Sequence, residues 1–379
     1  KIRFSVRTRK ESSIAKILVL FYNKIIHKVL KLEDAHTASF YFMKYIFFSY
    51  FGLSFPIVKK LIEEGNEVTV ALVQDVSELG IPGKKEDNEE KKNRLSLYDG
   101  VFEKKPAKQV ISEMSRIKNK DEYFVVFDFN DLWKYSELAL KLGFKNGFFP
   151  LKDDFELESD REKAQILVDE HYNGLKVAEI HDFKKIEDAI QFIDESEKPF
   201  VLKGNLEAAK TVVPMYKNIE LVKEKLKKTL IKDRKDYEAK GFILQERIEN
   251  VCEITPEIMF YNGKPLFTTV DIENKPIGSG NIGIQTGCAC CYVFKTNKED
   301  KINKLAFPDF VYEKAKERKG LFVWDASFLI AENGDMYFGE YCPNRWGFDS
   351  IFNEISMCDS VTSFFESIVK GKDPIKKEH

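Results

Sequence analysis

At 379 residues, with 43% hydrophobic and 32% charged side chains, the chain can bury two or three cores and has a globular composition. A formal charge of −2, from 60 Lys and Arg against 62 Asp and Glu, gives no basis for a nucleic-acid or anionic-membrane partner. The six cysteines do not have the number or spacing of a secreted disulfide scaffold, which points to a reducing cytoplasm.

Residues 1–42 fit poorly with the rest of the chain. Their apolar-rich run, 14–32, is broken by Lys16, Asn23, Lys24, His27, Lys28 and Lys31, unlike a membrane span or a signal-peptide core. The character changes at Met43, so 1–42 is expected to be an extension outside the native fold. A strand at 43–48, a turn at 49–54, a helix at 55–64 and a strand at 67–72 make a β-α-β opening. Pro56 marks the first turn of that helix and Gly65 its end. Residues 84–93 read as a charge-rich mobile loop. A strand at 100–103, helix at 107–117, strand at 122–128 and helix at 132–142 come next, the alternation of a parallel sheet covered on both faces.

A boundary is expected near 150–154, then a helix capped by Ser159 or Asp160. A strand fragment at 176–178, a helix at 186–195, a strand ending in Lys203 and a Lys-rich helix at 219–240 continue the chain. From 242 it turns strand-rich: 242–248, 253–261, 265–271, 288–294, 321–330 and 336–341. Asn262-Gly263 and Asn333-Gly334 are hairpin turns. Residues 310–318 and 350–369 read as helices.

Several residues could carry chemistry. Lys203 ends an apolar strand, where a lysine is costly to bury without an anionic partner, so it is a phosphate candidate. Arg161 adds a cation to a helix start, which suits phosphate. Strand alternation puts Glu253, Thr255 and Glu257 on one face. Gly278-Ser-Gly-Asn-Ile-Gly-Ile-Gln-Thr-Gly287 has four glycines, which allow backbone amides to crowd an anion. Glu340 and Asn344 offer the oxygens Mg²⁺ prefers, with Asp325 a second carboxylate on the preceding hairpin strand. Cys288-Ala-Cys-Cys291 has no second Cys/His pair at ligand spacing and reads as small residues packed beside the glycine loop.

In this order the pieces resemble the ATP-grasp ligases, nearest to the phosphoribosylamine–glycine ligases. The resemblance covers roughly 43–370 and is clearest over 198–345. It implies an α/β and α+β chain: an open parallel α/β domain (43–150), a two-lobed ATP-grasp domain (151–370, smaller lobe about 176–248) and a tail (371–379). Lys203-Gly-Asn-Leu-Glu-Ala-Ala-Lys210 is similar to the family's Val-Val-Lys-Ala-Asp-Gly and flap, without the flap's later glycines. Lys203 and Lys210 are thereby implied phosphate contacts, with Arg161 where the family has a lysine. Gln245-Glu-Arg-Ile248 resembles the hinge Glu-Glu-Phe-Leu, implying that Glu246, Arg247 and Ile248 meet adenine through their backbone. Glu253 matches the ribose-binding glutamate.

The glycine loop, with Asp271 ahead and Tyr292 after, resembles Gly-Asp-Gly-Asp-Thr-Gly-Pro-Asn-Thr-Gly-Gly-Met-Gly-Ala-Tyr. It implies substrate contacts at Asp271, Gly280, Asn281, Gln285, Thr286 and Gly287. Glu340-Tyr-Cys-Pro-Asn-Arg345-Trp-Gly347 is similar to Glu-Phe-Asn-x-Arg-Phe-Gly, implying Glu340, Asp325 and an asparagine on the metal and Arg345 on phosphate. Strict spacing puts Cys342 at that asparagine. A bulge near Cys342-Pro343 puts Asn344 there and is the expected form. Ser49-Tyr-Phe-Gly-Leu-Ser54 stands where the family has Gly-Gly-Arg-Glu-His, and the family continues for about another domain past the final helix.

The implied activity is amide formation from a small carboxylate and an amine, through an acyl phosphate, with ATP and Mg²⁺ (or Mn²⁺), as in purine biosynthesis. Lys203 and Arg345 would oppose the developing charge; neither nucleic acid nor membrane is a partner. Two alternatives stand beside it: the same chemistry on amino acids or peptides, or a degenerate ATP-binding protein.

Overall fold

The computed structural model describes residues 43–81, 84–204, 211–278, 282–345 and 351–375; the expected extension, 1–42, lies outside them. The N-terminal part alternates as expected. Strands β1 (Lys44–Ser49), β2 (Val68–Leu72), β3 (Lys104–Pro106), β4 (Tyr123–Phe127) and β5 (Gly147–Phe148) are parallel, in the order β3-β2-β1-β4-β5. Helices α1 (Phe55–Glu63), α2 (Asn88–Leu95), α3 (Ala107–Met114) and α4 (Trp133–Lys141) connect them.

Two local expectations need correction. The charge-rich segment is largely helix: Asp87 caps α2 by accepting the Glu89 and Glu90 N–H groups, and Glu90 accepts the Asp87 N–H in return. Buried Arg94 pins α2 to the end of β2 through Glu86 and the Val73 carbonyl. The third strand begins at Lys104, because residues 99–101 turn.

Helices α5 (Lys152–Ser159) and α6 (Arg161–His171), the latter capped by Asp160, lead into β6 (Lys176–Val177). A small antiparallel sheet comes next, in the order β7-β9-β8, from β7 (Ile180–Phe183), β8 (Phe200–Gly204) and β9 (Phe242–Glu246). Its outer face packs Phe200, Leu202, Phe242 and Leu244 against α7 (Ile186–Glu195), α8 (Ile219–Lys232) and α9 (Arg234–Lys240). The expected single helix over 219–240 is thus two, broken at Asp233.

The strand-rich part comprises β10 (Asn250–Tyr261), β11 (Lys264–Gly278), β12 (Ile282–Thr296), α10 (Lys301–Ala306), α11 (Asp309–Lys316), β13 (Leu321–Ala331) and β14 (Met336–Tyr341). Helices α12 (Ile351–Ser356) and α13 (Val361–Val369) replace the single helix expected over 350–369; Ser360 caps the second. Strand order is β12-β11-β10-β13, and β13 then pairs with β5, Leu321 opposite Phe148. Among the described residues the two halves therefore share one sheet. The chains approach closely there: a Cβ on Gly320, at φ +71°, would collide with the Gly147 carbonyl. Among the described residues no helix is long and apolar enough to cross a membrane.

Candidate active site

Alternation gives the β10, β11, β13 and β14 sheet two faces. One carries Ile258, Phe260, Phe322, Trp324 and Phe328 beneath α10, α11 and α6. The other is graded along its length. It begins apolar, with Met259, Tyr261, Phe267, Leu321 and Val323 in one core with α12 and α13. It then turns acidic at Glu257, whose register partners are Thr269 and Asp325, with Asp271 opposite Thr255. It ends in a charged cluster around Lys275. The Lys275 ammonium lies 3.0 Å from Glu253 and 3.4 Å from Glu273. Ser327 donates to Glu253 at 2.8 Å and Thr255 to Glu273 at 3.0 Å. Burial works against the Lys275 charge, but Glu253, Glu340 and Glu273 outweigh it and hold its pKa above the ordinary lysine range.

Glu340 reaches this face because of a β-bulge. Ser327 pairs with Glu340, but Phe328 pairs with Phe338, leaving Gly339 extra. Phe338 and Tyr341 both turn to the apolar face while Glu340 turns to the polar one. A Cβ on Gly339 would lie 2.9 Å from the Ser327 hydroxyl, so the bulge needs glycine. The bulge therefore precedes Glu340 and does not fall at Cys342-Pro343. Beyond it the strict register continues: the Cys342 N–H donates to the Asp325 carbonyl at 3.2 Å and the Asn344 N–H to Val323 at 2.7 Å.

Asn344, expected at the metal, is placed elsewhere. It is buried at φ +52°; its side-chain oxygen accepts the Val323 N–H at 3.3 Å, and its amide donates to the Phe149 carbonyl at 2.8 Å and Asp154 at 3.3 Å. Cys342 takes the position beside Asp325 and Glu340. Burial, with Glu158, Glu340 and Asp325, pushes its thiol well above the usual range against the pull of Arg345. Arg345 donates to Glu158 at 2.8 Å and lies over the Phe129 ring at 5.3 Å. Asn130 holds the second Glu158 oxygen at 2.6 Å.

A small cleft, partly open to solvent, lies between the small sheet and β14. Leu157, Ala164, Val177, Ile180 and Phe338 give it apolar walls, and Gln245, Glu158 and Glu340 give it polar ones. Lys203 is opposite Ile243 and shares the inner face of the small sheet with Gln245 and Ile180, since Phe200 and Leu202 face the helices. The hinge after β9 is tied down: the Glu246 N–H donates to Glu179 and the Arg247 N–H to Pro199, each at 2.8 Å. The Glu246 carboxylate meets Lys198 at 3.2 Å, and the Arg247 guanidinium binds the Pro214 and Tyr216 carbonyls and Glu249. Ile248 comes after it, half-buried.

Arg161 opens α6, beside the cleft-lining Ala164 and Gln165, and its side chain is not among those described. Lys210, Gly280 and Asn281 lie outside the described residues. Gln285, Thr286 and Gly287 fall on β12, and Thr286 donates to the Lys275 carbonyl at 2.6 Å.

At the carboxyl ends of β1 and β4, where the parallel strand order reverses, buried Asp128 accepts the Ser54 N–H at 3.1 Å and hydroxyl at 3.0 Å. Tyr98, at φ +72°, joins them through the Ser49 hydroxyl at 3.1 Å. Burial pushes the Asp128 carboxyl up to about 6. Glu354, from α12, accepts the Thr269 hydroxyl at 2.7 Å; burial pushes its carboxyl up to about 7, with Asp271 and Asp325 adding and Glu257 and Thr269 opposing.

Sequence reasoning missed Lys275, Glu273, Glu158 and Glu354. Glu273 and Lys275 were accessible by alternation, two and four residues beyond Asp271 on one strand face. Glu158 and Glu354 reach the site only through tertiary packing.

Solved structures with this arrangement of elements decide what the fold is. Phosphoribosylamine–glycine ligase from Thermotoga maritima matches with a TM-score of 0.53 at 15% identity, over 88% of this chain and 76% of that one. Carboxyaminoimidazole ribonucleotide synthase from Aspergillus clavatus, complexed with ATP, matches at 0.53 and 11%, over 89% and 78%. The fold is that of the ATP-grasp enzymes. An ATP-grasp structure from the same fungus, N5-carboxyaminoimidazole synthase with ADP and 5-aminoimidazole ribonucleotide, matches at 0.50 and 12%, over 89% and 78%. No protein-family model and no curated protein matches the sequence.

Among the described residues no three His, Cys, Asp or Glu side chains stand where they could jointly hold one metal ion. The donors still suit a hard cation that keeps most of its shell in water and phosphate, because Glu340 and Asp325 bring carboxylate oxygen to one face. Asn344 does not fit that set, since its amide is committed to β13 and Phe149.

Proposed function

We propose that the protein is an ATP-dependent ligase that joins a carboxylate to an amine. The observation that carries this reading is the arrangement: a small cleft edged by the small sheet has Glu340 and Glu158 in its lining, on an ATP-grasp fold. Lys203, on the inner face of the small sheet, would bind phosphate. Arg345, oriented by Glu158, would oppose charge on the transferred phosphoryl group. Glu340 and Asp325 would hold Mg²⁺, which when bound neutralises the phosphate oxygens.

The substrate carboxylate attacks the γ-phosphate, releasing ADP and leaving an acyl phosphate. The amine then displaces inorganic phosphate and loses a proton, giving the amide. No protein nucleophile takes part, so positioning and charge neutralisation supply the catalysis. Within this class we favour substrates like those of phosphoribosylamine–glycine ligase, supported by the glycine-loop resemblance and by a neighbour of that name.

The test is ADP and phosphate release with Mg-ATP, offering glycine with phosphoribosylamine and then a panel of amino acids. Failure to bind ATP at all would remove the reading. A second reading, nucleotide binding without turnover, is favoured by the Cys342 thiol beside Asp325 and Glu340; tight ATP binding with no ADP release on any pair would select it.

A further inference from the structure

We propose that Asn344 is a positioning residue for Arg345, and that helix α5 is the template on which it acts. The assignment rests on the ligase reading above, in which Arg345 meets the transferred phosphoryl group, and adds a residue to it. Past β14 the chain runs through Cys342 into a turn made by Pro343 and Asn344. Proline followed by a residue at positive φ suits such a turn. Asn344 stands at φ +52°, a conformation that asparagine tolerates better than most residues. Arg345 leaves that turn directly.

The Asn344 side chain is buried and tied to three elements. Its oxygen accepts the Val323 N–H of β13 at 3.3 Å; its amide donates to the Phe149 carbonyl just after β5 at 2.8 Å, and to Asp154 of α5 at 3.3 Å. Asp154 is itself fixed, accepting the Leu151 N–H at 2.8 Å and the Arg318 guanidinium at 2.6 Å. Residues four apart on a helix share a face, so Asp154 and Glu158 point the same way from α5. Glu158 holds the Arg345 guanidinium at 2.8 Å, and the Phe129 ring lies 5.3 Å from it. One helix face therefore grips two consecutive residues, Asn344 by its amide and Arg345 by its charge. An arginine held only at its tip keeps much of the rotamer freedom of a long side chain. Asn344 fixes where that side chain starts and Glu158 fixes where it ends, which places the cation before any phosphate arrives.

The experiment measures binding of the β,γ-imido analogue of ATP and of ADP, each with Mg²⁺, by calorimetry on the full chain. ADP lacks the phosphoryl group that Arg345 would meet, so the ratio of the two affinities reads the placement of that arginine. Arg345→Met should lower affinity for the analogue about tenfold and leave ADP binding unchanged. Asn344→Gly keeps the left-handed backbone and removes all three side-chain anchors. It should lose about as much of the preference, and add nothing further in an Arg345→Met background. Asp154→Ala removes one anchor from the helix side, should shift the ratio in the same direction, and serves where Asn344→Gly does not fold. A variant that weakens both nucleotides alike, keeps the full preference, or adds its own factor to Arg345→Met would overturn the positioning role and leave the ligase reading standing. A wild type that binds neither nucleotide, or a preference that survives Arg345→Met, would overturn the reading of Arg345 and this proposal with it.

Discussion

Replacing Lys275 by methionine keeps the length of the side chain and removes its charge. In the wild type that charge sits 3.0 Å from Glu253 and 3.4 Å from Glu273, with Glu340 also acting on it, and the side chain is only 28% exposed. At an effective dielectric near 20, one such contact is worth roughly 5 kcal/mol before desolvation is counted. Burying the ammonium offsets part of this, and breaking a buried pair by removing one partner costs about 3–5 kcal/mol. Partial exposure lowers the expectation to about 2–3 kcal/mol at pH 7.5.

The loss should depend on pH. Without Lys275 the clustered carboxyls of the folded variant hold protons that the unfolded chain has released, so ν_N exceeds ν_U and stability rises as pH falls. Urea unfolding of wild type and Lys275→Met at pH 7.5 and pH 5 measures both effects, and Lys275→Arg should restore most of the stability. A deficit under about 0.5 kcal/mol, or one of equal size at both pH values, would refute the claim that Lys275 neutralises this face.

The buried Asp128 carboxyl, pushed from 3.8 to about 6, contributes stability that is full below pH 4 and lost as pH rises through 6. Asp128→Asn should therefore be more stable than wild type at pH 8, by up to about 3 kcal/mol, and equal to it near pH 4; a pH-independent difference in denaturant midpoints would contradict this. Asn344→Ala should cost about 2–4 kcal/mol in unfolding experiments, because it strips hydrogen bonds from Val323 and Phe149. Unchanged stability with a raised Mg²⁺ requirement would instead return Asn344 to the metal. Gly339→Ala should push β14 off Ser327, lowering the melting temperature and reducing the proposed ATP-dependent turnover by about tenfold or more through misplacement of Glu340; normal turnover would show that the bulge does not set its position.

Much of the fold was legible because its signals are local. Pro56 and Gly65 bracket the first helix, and period-2 and period-3.6 stretches alternate through the parallel half. The Asn-Gly turns at Asn262 and Asn333 fixed two hairpins of the large sheet. The segment around α2 misled because its charges look solvent-facing, whereas a capping box and the burial of Arg94 organise them. The break at Asp233 was hidden inside a run of good helix formers, whereas that at Ser360 lies among poor ones, Cys358-Asp-Ser-Val-Thr362, with Ser360 as the N-cap. At the candidate site, motif order pointed to β8–β14, while the placement of individual side chains depends on tertiary packing and on the bulge. Asn-Arg after Glu340 suggested a shifted metal asparagine, yet the one-residue shift sits at Gly339, where only the close approach of Ser327 reveals it.

The pairing of β5 with β13 has a consequence for how this molecule can be taken apart. The sequence boundary near 150 falls just past a strand that is hydrogen-bonded on both sides, to β4 and to β13. Tyr45, Phe124 and Phe365 pack at tilted angles in one core although the last of them belongs to α13, near the far end of the chain. A fragment cut at 150 would expose a strand edge and lose the helix that covers one face of its sheet; the complementary fragment would keep that helix with nothing beneath it. The two halves share one sheet and one core, so they should not be exchangeable like beads on a string. Among the described residues the small sheet forms no strand pairing with the large one, so nothing in the ladder ties it to the shared sheet.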